Sequence, residues 1–232
     1  MAIRQMKTRP PSASIKKHEI EGLYAITPET ADTALLVSMT QQAITGGSRL
    51  VQYRNKSTDT ELHLRQAKAL AHLCRKFHVL FIINDSLDLA IEVDADGLHL
   101  GREDGLLSEA RHRLGGEKIL GASCYNRLDY AIEAQRQGVD YVAFGAFFAS
   151  STKPNAVSAP LSLLQRAKRE LHIPIVAIGG ITPENAAQLV NEGANALAVS
   201  KALYDPSDIC AAAQKFSSLF ERNQRSISHH MG

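Results

Sequence analysis

One arrangement repeats along the sequence: a short apolar run rich in Val, Ile and Leu, followed by a longer segment with helical spacing. The runs are GLYAIT (22–27), RLVQYR (49–54), VLFIIND (79–85), DGLHLG (96–101), KILGASC (118–124), DYVAFGAFF (140–148), PIVAIGG (174–180) and ALAVSKAL (196–203). Several are apolar almost throughout, which predicts strands buried on both faces, as in a parallel sheet covered by helices. Eight such units in 232 residues predict a single-domain α/β fold, a (β/α)8 TIM barrel, with a doubly wound open sheet as the alternative.

The segments between the runs carry helix signals. Residues 61–76 place leucines at near-helical spacing with charged residues opposite, and residues 131–137 end at a glycine that suits a helix C-terminus. Thr182–Pro183 predicts the first positions of a helix that continues to Asn191. Asp205–Pro206 predicts the start of the last helix by the same reasoning.

Both ends of the chain differ from the repeating part. Residues 1–21 are basic and contain Pro10–Pro11, which predicts a flexible arm; residues 22–222 form the predicted barrel, and residues 223–232 a polar tail. The arm lacks the apolar stretch of a secretion signal. No apolar run approaches the ~20 residues that cross a bilayer, so we expect a cytoplasmic protein with no membrane contact.

Composition excludes several classes of function. Lys and Arg number 26 against 24 Asp and Glu, a net charge of +2 that argues against a nucleic-acid binder. The three cysteines, Cys74, Cys124 and Cys210, are odd in number, widely spaced and never in a C-x-x-C pair, which argues against a disulfide framework or a cysteine zinc site. His99 is interpreted as a packed core histidine. No Ser-His-Asp arrangement is present, and Cys124 has no neighbouring histidine, so nucleophilic catalysis is not expected.

The active site of such a barrel lies at the C-terminal ends of its strands. Gln52, Arg54 and Lys56 follow one another at period two there, which would place all three side chains on one face if the strand stays extended. Arg and Lys side chains suit phosphate oxygens. The alternative is that both cations are solvated loop charges.

Two carboxylates follow the third and fourth runs. Asp85 comes directly after Asn84 at the end of the most apolar run, and Asp104 follows HLGRE. Two carboxylates from adjacent strand ends suit Mg²⁺ shared with a substrate phosphate. The alternatives are a helix N-cap for Asp85 and a surface loop for Asp104.

The last three strand ends carry phosphate signals. Ser150, Thr152 and Lys153 lie in a long loop, 149–160, that has no clear periodicity. Gly180 precedes the helix signal at Thr182. Barrels often hold a phosphate between the loops after strands seven and eight, where glycine lets the anion reach backbone N–H groups. The Ser200–Lys201 pair follows strand eight in the position for such a site.

Taken together, these motifs resemble the thiamine-phosphate synthase family. GLYAIT, VQYRNK, IINDSLDLA, ADGLHLGRED, GAS, STK and PIVAIGGIT follow the order and spacing of that family over residues 22–220. The resemblance implies a (β/α)8 barrel that joins 4-amino-2-methyl-5-hydroxymethylpyrimidine diphosphate to 4-methyl-5-(2-phosphoethyl)thiazole, giving thiamine phosphate and diphosphate, with Mg²⁺. Its partners would be these small molecules, and a homodimer is expected from the family's barrels.

The resemblance also implies roles for individual residues. Arg54, Lys56, Lys153 and Ser123 would act catalytically on the pyrimidine diphosphate, and Asp85 and Asp104 would hold Mg²⁺. The substrate-binding set would be Gln52, Arg54, Lys56, Asn84, Ser123, Ser150, Thr152, Lys153, Gly180, Ser200 and Lys201. The implied chemistry is a dissociative substitution, in which the thiazole nitrogen captures a pyrimidine cation.

The sequence departs from the family pattern at three positions. Ser86 stands where Arg is usual, Arg102 where Gln is usual, and Lys201 where a small residue is usual. A thiazole tautomerase of the same fold is the closest alternative, although such proteins use a His where this chain has Tyr125. A sugar-phosphate epimerase and a non-catalytic protein that binds thiamine precursors are the others.

Overall fold

The computed structural model describes residues 20–149 and 159–228, with side chains described as far as residue 221. These residues form a closed barrel of eight parallel strands in chain order, in which β8 pairs with β1. The predicted (β/α)8 barrel is confirmed, and the open-sheet alternative is wrong because the sheet has no free edge.

Each predicted apolar run coincides with one strand, although β2 begins one residue before its run and β5 ends one residue after its run, and each strand is followed by a helix. The strands are β1 (Gly22–Ile26), β2 (Ser48–Tyr53), β3 (Leu80–Asn84), β4 (Gly97–Leu100), β5 (Ile119–Tyr125), β6 (Tyr141–Phe144), β7 (Ile175–Ile178) and β8 (Ala196–Val199). The helices are α1 (Thr33–Thr45), α2 (Thr60–Phe77), α3 (Leu87–Glu92), α4 (Leu107–Leu114), α5 (Leu128–Arg136), α6 (Ser162–Glu170), α7 (Ala186–Asn191), α8 (Lys201–Tyr204) and α9 (Ile209–Ser228).

Alternation along the strands separates two apolar layers. In β1, Leu23 and Ala25 belong to the large cluster between the sheet and the helices, whereas Tyr24 and Ile26 belong to a smaller cluster inside the barrel. Successive strand residues point to opposite faces of a sheet. This alternation decides which side chains can reach the site at the top of the barrel interior.

Helix α2 shows how local sequence sets an element. Asp59 caps its first turn by accepting a hydrogen bond from the Leu62 backbone N–H at 2.9 Å, and His78 ends it in the left-handed conformation. The predicted helix over residues 61–76 is therefore confirmed. Its N-terminus lies next to the loop that follows β2, the loop that carries Arg54 and Lys56.

Several predicted boundaries are wrong. Helix α7 begins at Ala186, because residues 183–185 form a turn in which the Asn185 side chain accepts from the Thr182 backbone N–H at 2.9 Å. Helix α9 begins after Asp208, whose carboxylate accepts from the Ala211 backbone N–H at 2.8 Å, and Asp205 does not cap it.

Two of the strands are shorter than their predicted apolar runs by four residues or more. Strand β6 ends at Phe144 and β8 at Val199, since the chain beyond β8 turns directly into α8. Apolar residues continue past both strands because the connections after them also pack against the core. Phe147 and Leu203, which are buried at 4% and 0% exposure, show this.

The chain ends fall partly outside the described residues, as does most of the predicted arm. Ile20, which the prediction assigned to the arm, is buried at 2% exposure inside the barrel cluster. Helix α9 continues to Ser228, past the predicted tail boundary at residue 222. Within the described ranges, no helix has the length and apolar character needed to cross a membrane.

An ion pair stabilises the end of the barrel that lies opposite the site. The Arg111 guanidinium of α4 donates to the carbonyls of Gly115, Lys118 and Gly138 and lies 2.5 Å from the Asp140 carboxylate. The same Asp140 oxygen accepts the Leu120 backbone N–H at 2.8 Å. One side chain therefore joins α4 to the starts of β5 and β6.

Candidate active site

The residues after β2 form the basic side of the site. Gln52 is the last inward-facing residue of the strand, is buried at 4% exposure, and donates to the Tyr24 hydroxyl at 2.9 Å. Arg54 follows, with its side chain 33% exposed and its guanidinium 3.6 Å from the Glu29 carboxylate. The strand ends at Tyr53, so the condition that it stays extended through Lys56 is not met, and Lys56 is exposed in the loop.

The carboxyl groups of Asp85 and Asp104 meet across neighbouring strand ends. Partial burial, the hydrogen bond with Asp104 and the negative charge of Asp104 together raise the pKa of Asp85 to about 6. The positive charge of Arg54 and a hydrogen bond from Asn84 act in the opposite direction. The structure thus brings four predicted site residues, from the ends of β2, β3 and β4, into one cluster.

Backbone geometry holds each of the two carboxylates. Asp85 has a φ of 63°, and its backbone N–H donates to the His99 carbonyl at 2.9 Å. Ser86, rather than Asp85, caps α3 by accepting from the Leu89 backbone N–H at 3.3 Å. The N-cap interpretation of Asp85 is therefore wrong.

Asp104 is tied back to the end of β4. Its Oδ2 accepts from the Gly101 backbone N–H at 2.8 Å, and a Cβ at position 101 would collide with the same oxygen. Within the described part of the chain, no three His, Cys, Asp or Glu side chains form a candidate metal cluster. A pair of facing carboxylates, with waters and substrate phosphates completing the shell, is a donor set that fits Mg²⁺ and not zinc.

A chain of hydrogen bonds crosses the barrel interior beneath this cluster. Gln52 donates to the Tyr24 hydroxyl, which lies 2.9 Å from the Tyr141 hydroxyl. His99 bonds Tyr141 through Nδ1 and Ser123 through Nε2, both at 2.9 Å. Two predicted substrate-binding residues, Gln52 and Ser123, are therefore the two ends of one buried network. Side chains in such networks hold single orientations.

His99 is a core histidine, as predicted, but it also contacts Ser123 of the predicted site. Burial lowers the pKa of His99 from 6.5 to about 4, although the nearby Asp104 charge acts to raise it. The imidazole is therefore neutral at pH 7. One ring nitrogen donates a hydrogen bond and the other accepts one.

We expect His99 to make the protein less stable in acid. The unfolded chain binds a proton below pH 6.5 and the folded chain only below about pH 4, so stability present above pH 6.5 is lost as the pH falls toward 4. The expected loss is ~3 kcal/mol. Urea unfolding between pH 7 and pH 4 measures it. His99→Gln should flatten the profile, whereas His112→Gln, at an exposed position on α4, should leave it unchanged.

Two glycines lie at the end of β7 on the opposite side of the barrel mouth. Gly179 and Gly180 have φ values of 98° and 64°, which favour glycine. A Cβ at Gly180 would lie 2.5 Å from the Phe148 carbonyl oxygen and 2.7 Å from that of Ala149. Asn185 donates to the Gly180 carbonyl at 3.0 Å. Both sides of this loop are therefore fixed in place.

Gly180→Ala is expected to destabilise the protein by ~1–2 kcal/mol, because alanine disfavours this φ and its methyl group would displace the loop after β6. Any ligand phosphate bound at the loop should bind more weakly as well. Thermal unfolding checks the first effect. The matched control is Gly116→Ala, since Gly116 has open space around its missing Cβ. Equal stability of the two variants would contradict this account of the loop.

Ser200 and Lys201 lie at the start of α8, next in the barrel after the glycine loop. The Ser200 carbonyl accepts from the backbone N–H groups of Leu203 and Tyr204. The Lys201 ammonium lies 3.8 Å from the Asp205 carboxylate on the exposed side of the helix. The Lys201 side chain is therefore directed along the helix toward Asp205.

The remaining predictions have mixed outcomes. Ser150, Thr152 and Lys153 lie outside the described residues. Arg102 stacks on the Tyr130 ring, with its guanidinium carbon 4.6 Å from the centroid, and donates to the Tyr130 hydroxyl at 2.6 Å. Sequence reasoning missed Tyr24 and Tyr141 as polar partners of the site, since both occur within apolar runs.

A sequence model of the family described as "Thiamine monophosphate synthase" matches residues 23–203. The chain belongs to that family. The thiamine-phosphate synthase of Nitrosospira multiformis is 59% identical over 206 residues, which cover 89% of this chain and 88% of the relative. That of Nitrosomonas eutropha is 51% identical over 211 residues, covering 91% and 98%.

The fold is shared with a solved structure. Thiamine phosphate pyrophosphorylase from Pyrococcus furiosus superposes with a TM-score of 0.79 at 31% identity, covering 89% of this chain and 98% of that one. The resemblance stated from the motifs is therefore confirmed. Together these likenesses support thiamine-phosphate synthase activity, and so an enzyme, for the present chain.

Proposed function

We propose that this protein joins 4-amino-2-methyl-5-hydroxymethylpyrimidine diphosphate to 4-methyl-5-(2-phosphoethyl)thiazole, yielding thiamine phosphate and diphosphate with Mg²⁺ as the metal ion. The observation that carries the proposal is the cluster at the ends of β2, β3 and β4. It places a guanidinium, an amide and two facing carboxylates together, namely Arg54, Asn84, Asp85 and Asp104. A diphosphate with its metal ion needs this combination of charges.

The proposed reaction breaks one bond and forms one. The C–O bond between the pyrimidine methylene and the diphosphate breaks, and its electron pair leaves with the diphosphate. The thiazole nitrogen then donates its lone pair to the methylene carbon. Mg²⁺, when bound, would neutralise part of the charge that grows on the leaving group. Arg54 and Lys56 would bind the same oxygens and stabilise the departing diphosphate.

No side-chain nucleophile is required for this substitution, and the described barrel interior offers none. Burial raises the pKa of the Cys124 thiol to about 12, so this group stays protonated and unreactive at neutral pH. Ser123 bonds a neutral His99, whose other ring nitrogen bonds the Tyr141 hydroxyl in place of the carboxylate that a triad would have. The task of the site is therefore to orient two substrates and to exclude water.

The interior network supports binding of the aminopyrimidine ring. Gln52 and Ser123 reach the top of the barrel interior with their orientations set by Tyr24 and His99. An amide and a hydroxyl can bond the ring nitrogens and the exocyclic amine of a pyrimidine. We assign the thiazole phosphate to Gly180, Ser200 and Lys201 on the opposite side of the barrel mouth. From the family resemblance we also assign Ser150 and Thr152 to this phosphate and Lys153 to the diphosphate.

A thiazole tautomerase is the second candidate, and the structure disfavours it. An isomerase acting on the thiazole phosphate has no use for two facing carboxylates beside a guanidinium. Tyr125, at the position of the tautomerase histidine, has a φ of 54° and is 48% exposed. Tyr125 does not supply the imidazole that the tautomerase has at this position.

The test is a product assay on the purified protein. Both substrates and Mg²⁺ are supplied, and thiamine phosphate is detected after oxidation to fluorescent thiochrome. We expect product that depends on both substrates and disappears when EDTA is added. Folded protein that forms no product with saturating Mg²⁺ would overturn the proposal. A parallel sample with the thiazole tautomer alone would then test for isomerisation, and a binding-only protein would show neither reaction.

A further inference from the structure

A buried amide on α2 connects the two loops that flank the basic side of the site. Gln66 has 0% exposure. Its Oε1 accepts from the Tyr53 hydroxyl at 2.9 Å and from the Asn55 side-chain amide at 3.2 Å. Its Nε2 donates to the Thr30 carbonyl at 2.8 Å. Through this one side chain, α2 is hydrogen-bonded to the end of β2, to the loop after β2 and to the loop after β1.

These bonds fix the backbone on both sides of the diphosphate-binding cations. Asn55 stands between Arg54 and Lys56, and its other amide atom, Oδ1, accepts from the Ser57 backbone N–H at 2.9 Å. The Thr27 hydroxyl accepts from the Arg54 backbone N–H at 3.1 Å. The loop from residue 54 to residue 57 is therefore held from three directions, with Gln66 as its most buried contact.

The hydrogen bond to Thr30 also restrains the backbone next to Glu29, whose carboxylate faces Arg54. Glu29 precedes Thr30, and its carboxylate lies 3.6 Å from the Arg54 guanidinium. Gln66 therefore holds Arg54 and the carboxylate that pairs with it through separate hydrogen bonds. Burial raises the pKa of Tyr53 to about 12, so the Tyr53 hydroxyl keeps its proton and continues to donate.

Packing of α2 against the barrel does not by itself require a polar residue at position 66. The other buried positions of α2 are apolar: Leu62, Ala67, Leu70, Ala71, Leu73 and Cys74. A methionine has nearly the same length and volume as glutamine. Burying an amide among apolar neighbours costs free energy unless its hydrogen bonds are made, and here the bonds go to the end of β2 and to the two site loops.

We propose that Gln66 is a positioning residue, which sets the geometry of Arg54 and Lys56 for the diphosphate of the pyrimidine substrate. The inference rests on the proposed function, because it assigns a substrate to this loop. Gln66 does not contact the reacting atoms. Its effect passes through Asn55 on one side and Thr30 on the other.

The test compares Gln66→Met with the unchanged protein in steady-state assays and in inhibition by inorganic diphosphate. We expect the KM for the pyrimidine diphosphate and the Ki of diphosphate to rise roughly tenfold or more, since displacement of binding groups by ~1 Å has effects of this order. The KM for the thiazole phosphate should stay within about twofold. A purely structural role would change both KM values alike or neither.

Two further variants make the comparison decisive. Leu73→Ala, on the same helix, removes a buried apolar side chain far along α2 from the site; it should lower the melting temperature with both KM values unchanged. Asn55→Ala breaks the same connection from the loop side, at a half-buried position, and should reproduce the selective rise if Gln66→Met does not fold.

The outcomes separate this inference from the proposed function. A protein that forms no thiamine phosphate would overturn both. A protein that is active, but in which Gln66→Met and Asn55→Ala leave the KM for pyrimidine diphosphate and the Ki of diphosphate unchanged, would overturn the inference alone. Equal rises in both KM values would overturn it too, because the loop would then not be selective for the diphosphate.

Discussion

Asp85→Asn is expected to lower kcat/KM for thiamine phosphate formation by ~10²–10³-fold, because it removes a charged ligand of the proposed metal ion. Asparagine keeps the shape of the side chain and retains one oxygen. The asparagine lacks the negative charge through which Asp85 interacts with Asp104 and Arg54 in the unchanged protein. The measurement is kcat/KM across a Mg²⁺ titration, in which the variant should also need a higher Mg²⁺ concentration for half-maximal rate.

Asp88→Asn is the matched control for this effect. Asp88 lies three residues further along the chain, is 84% exposed, and pairs with Arg113 at 2.6 Å on the surface. Its replacement should change kcat/KM by less than about twofold, since exposed pairs contribute little. The metal assignment would be wrong if Asp85→Asn kept the activity and the Mg²⁺ dependence of the unchanged protein.

Arg111→Met should produce the largest loss of stability, ~3–5 kcal/mol in the free energy of unfolding. The substitution removes the Arg111 cation from the Asp140 carboxylate, whose side chain is 9% exposed, and removes the guanidinium donors from the carbonyls of Gly115, Lys118 and Gly138. For a chain of this size the melting temperature should fall by ~6–20 °C. Thermal and urea unfolding measure the loss.

Neighbouring residues supply the controls. Arg113→Met removes another arginine of α4, whose partner Asp88 is exposed, and should cost less than ~1 kcal/mol. Adding Asp140→Asn to Arg111→Met should recover part of the loss, because no uncompensated charge then stays buried and an oxygen remains for the Leu120 N–H. Similar losses for Arg111→Met and Arg113→Met would contradict this account of the ion pair.

The barrel could be predicted because burial on both faces gives its strands nearly continuous apolar runs. The first residues of the helices were harder to predict, since several residues near each helix could cap the same turn. The last helix follows Asp208 and not Asp205, because the Asp208 carboxylate reaches the Ala211 N–H. That choice depends on how the chain leaves α8, which local sequence does not determine.

The site could be predicted where polar residues end apolar strands. Asp85 is costly directly after a buried strand unless a partner meets it, so its position alone indicated a role. Gln66 gave no such signal, because a glutamine within a helix is ordinarily a solvent-facing residue. Tyr24 and Tyr141 were hidden for another reason: only the barrel register directs both hydroxyls to the same point in the interior.

The most direct test of the strand-end cluster as a magnesium–diphosphate site is calorimetric titration of inorganic diphosphate into the protein, with and without Mg²⁺. Binding should be strong only when Mg²⁺ is present, should weaken by an order of magnitude or more in Asp85→Asn, and should be unchanged in Asp88→Asn. Diphosphate binding that is equally strong without Mg²⁺, or equally strong in Asp85→Asn, would contradict the account.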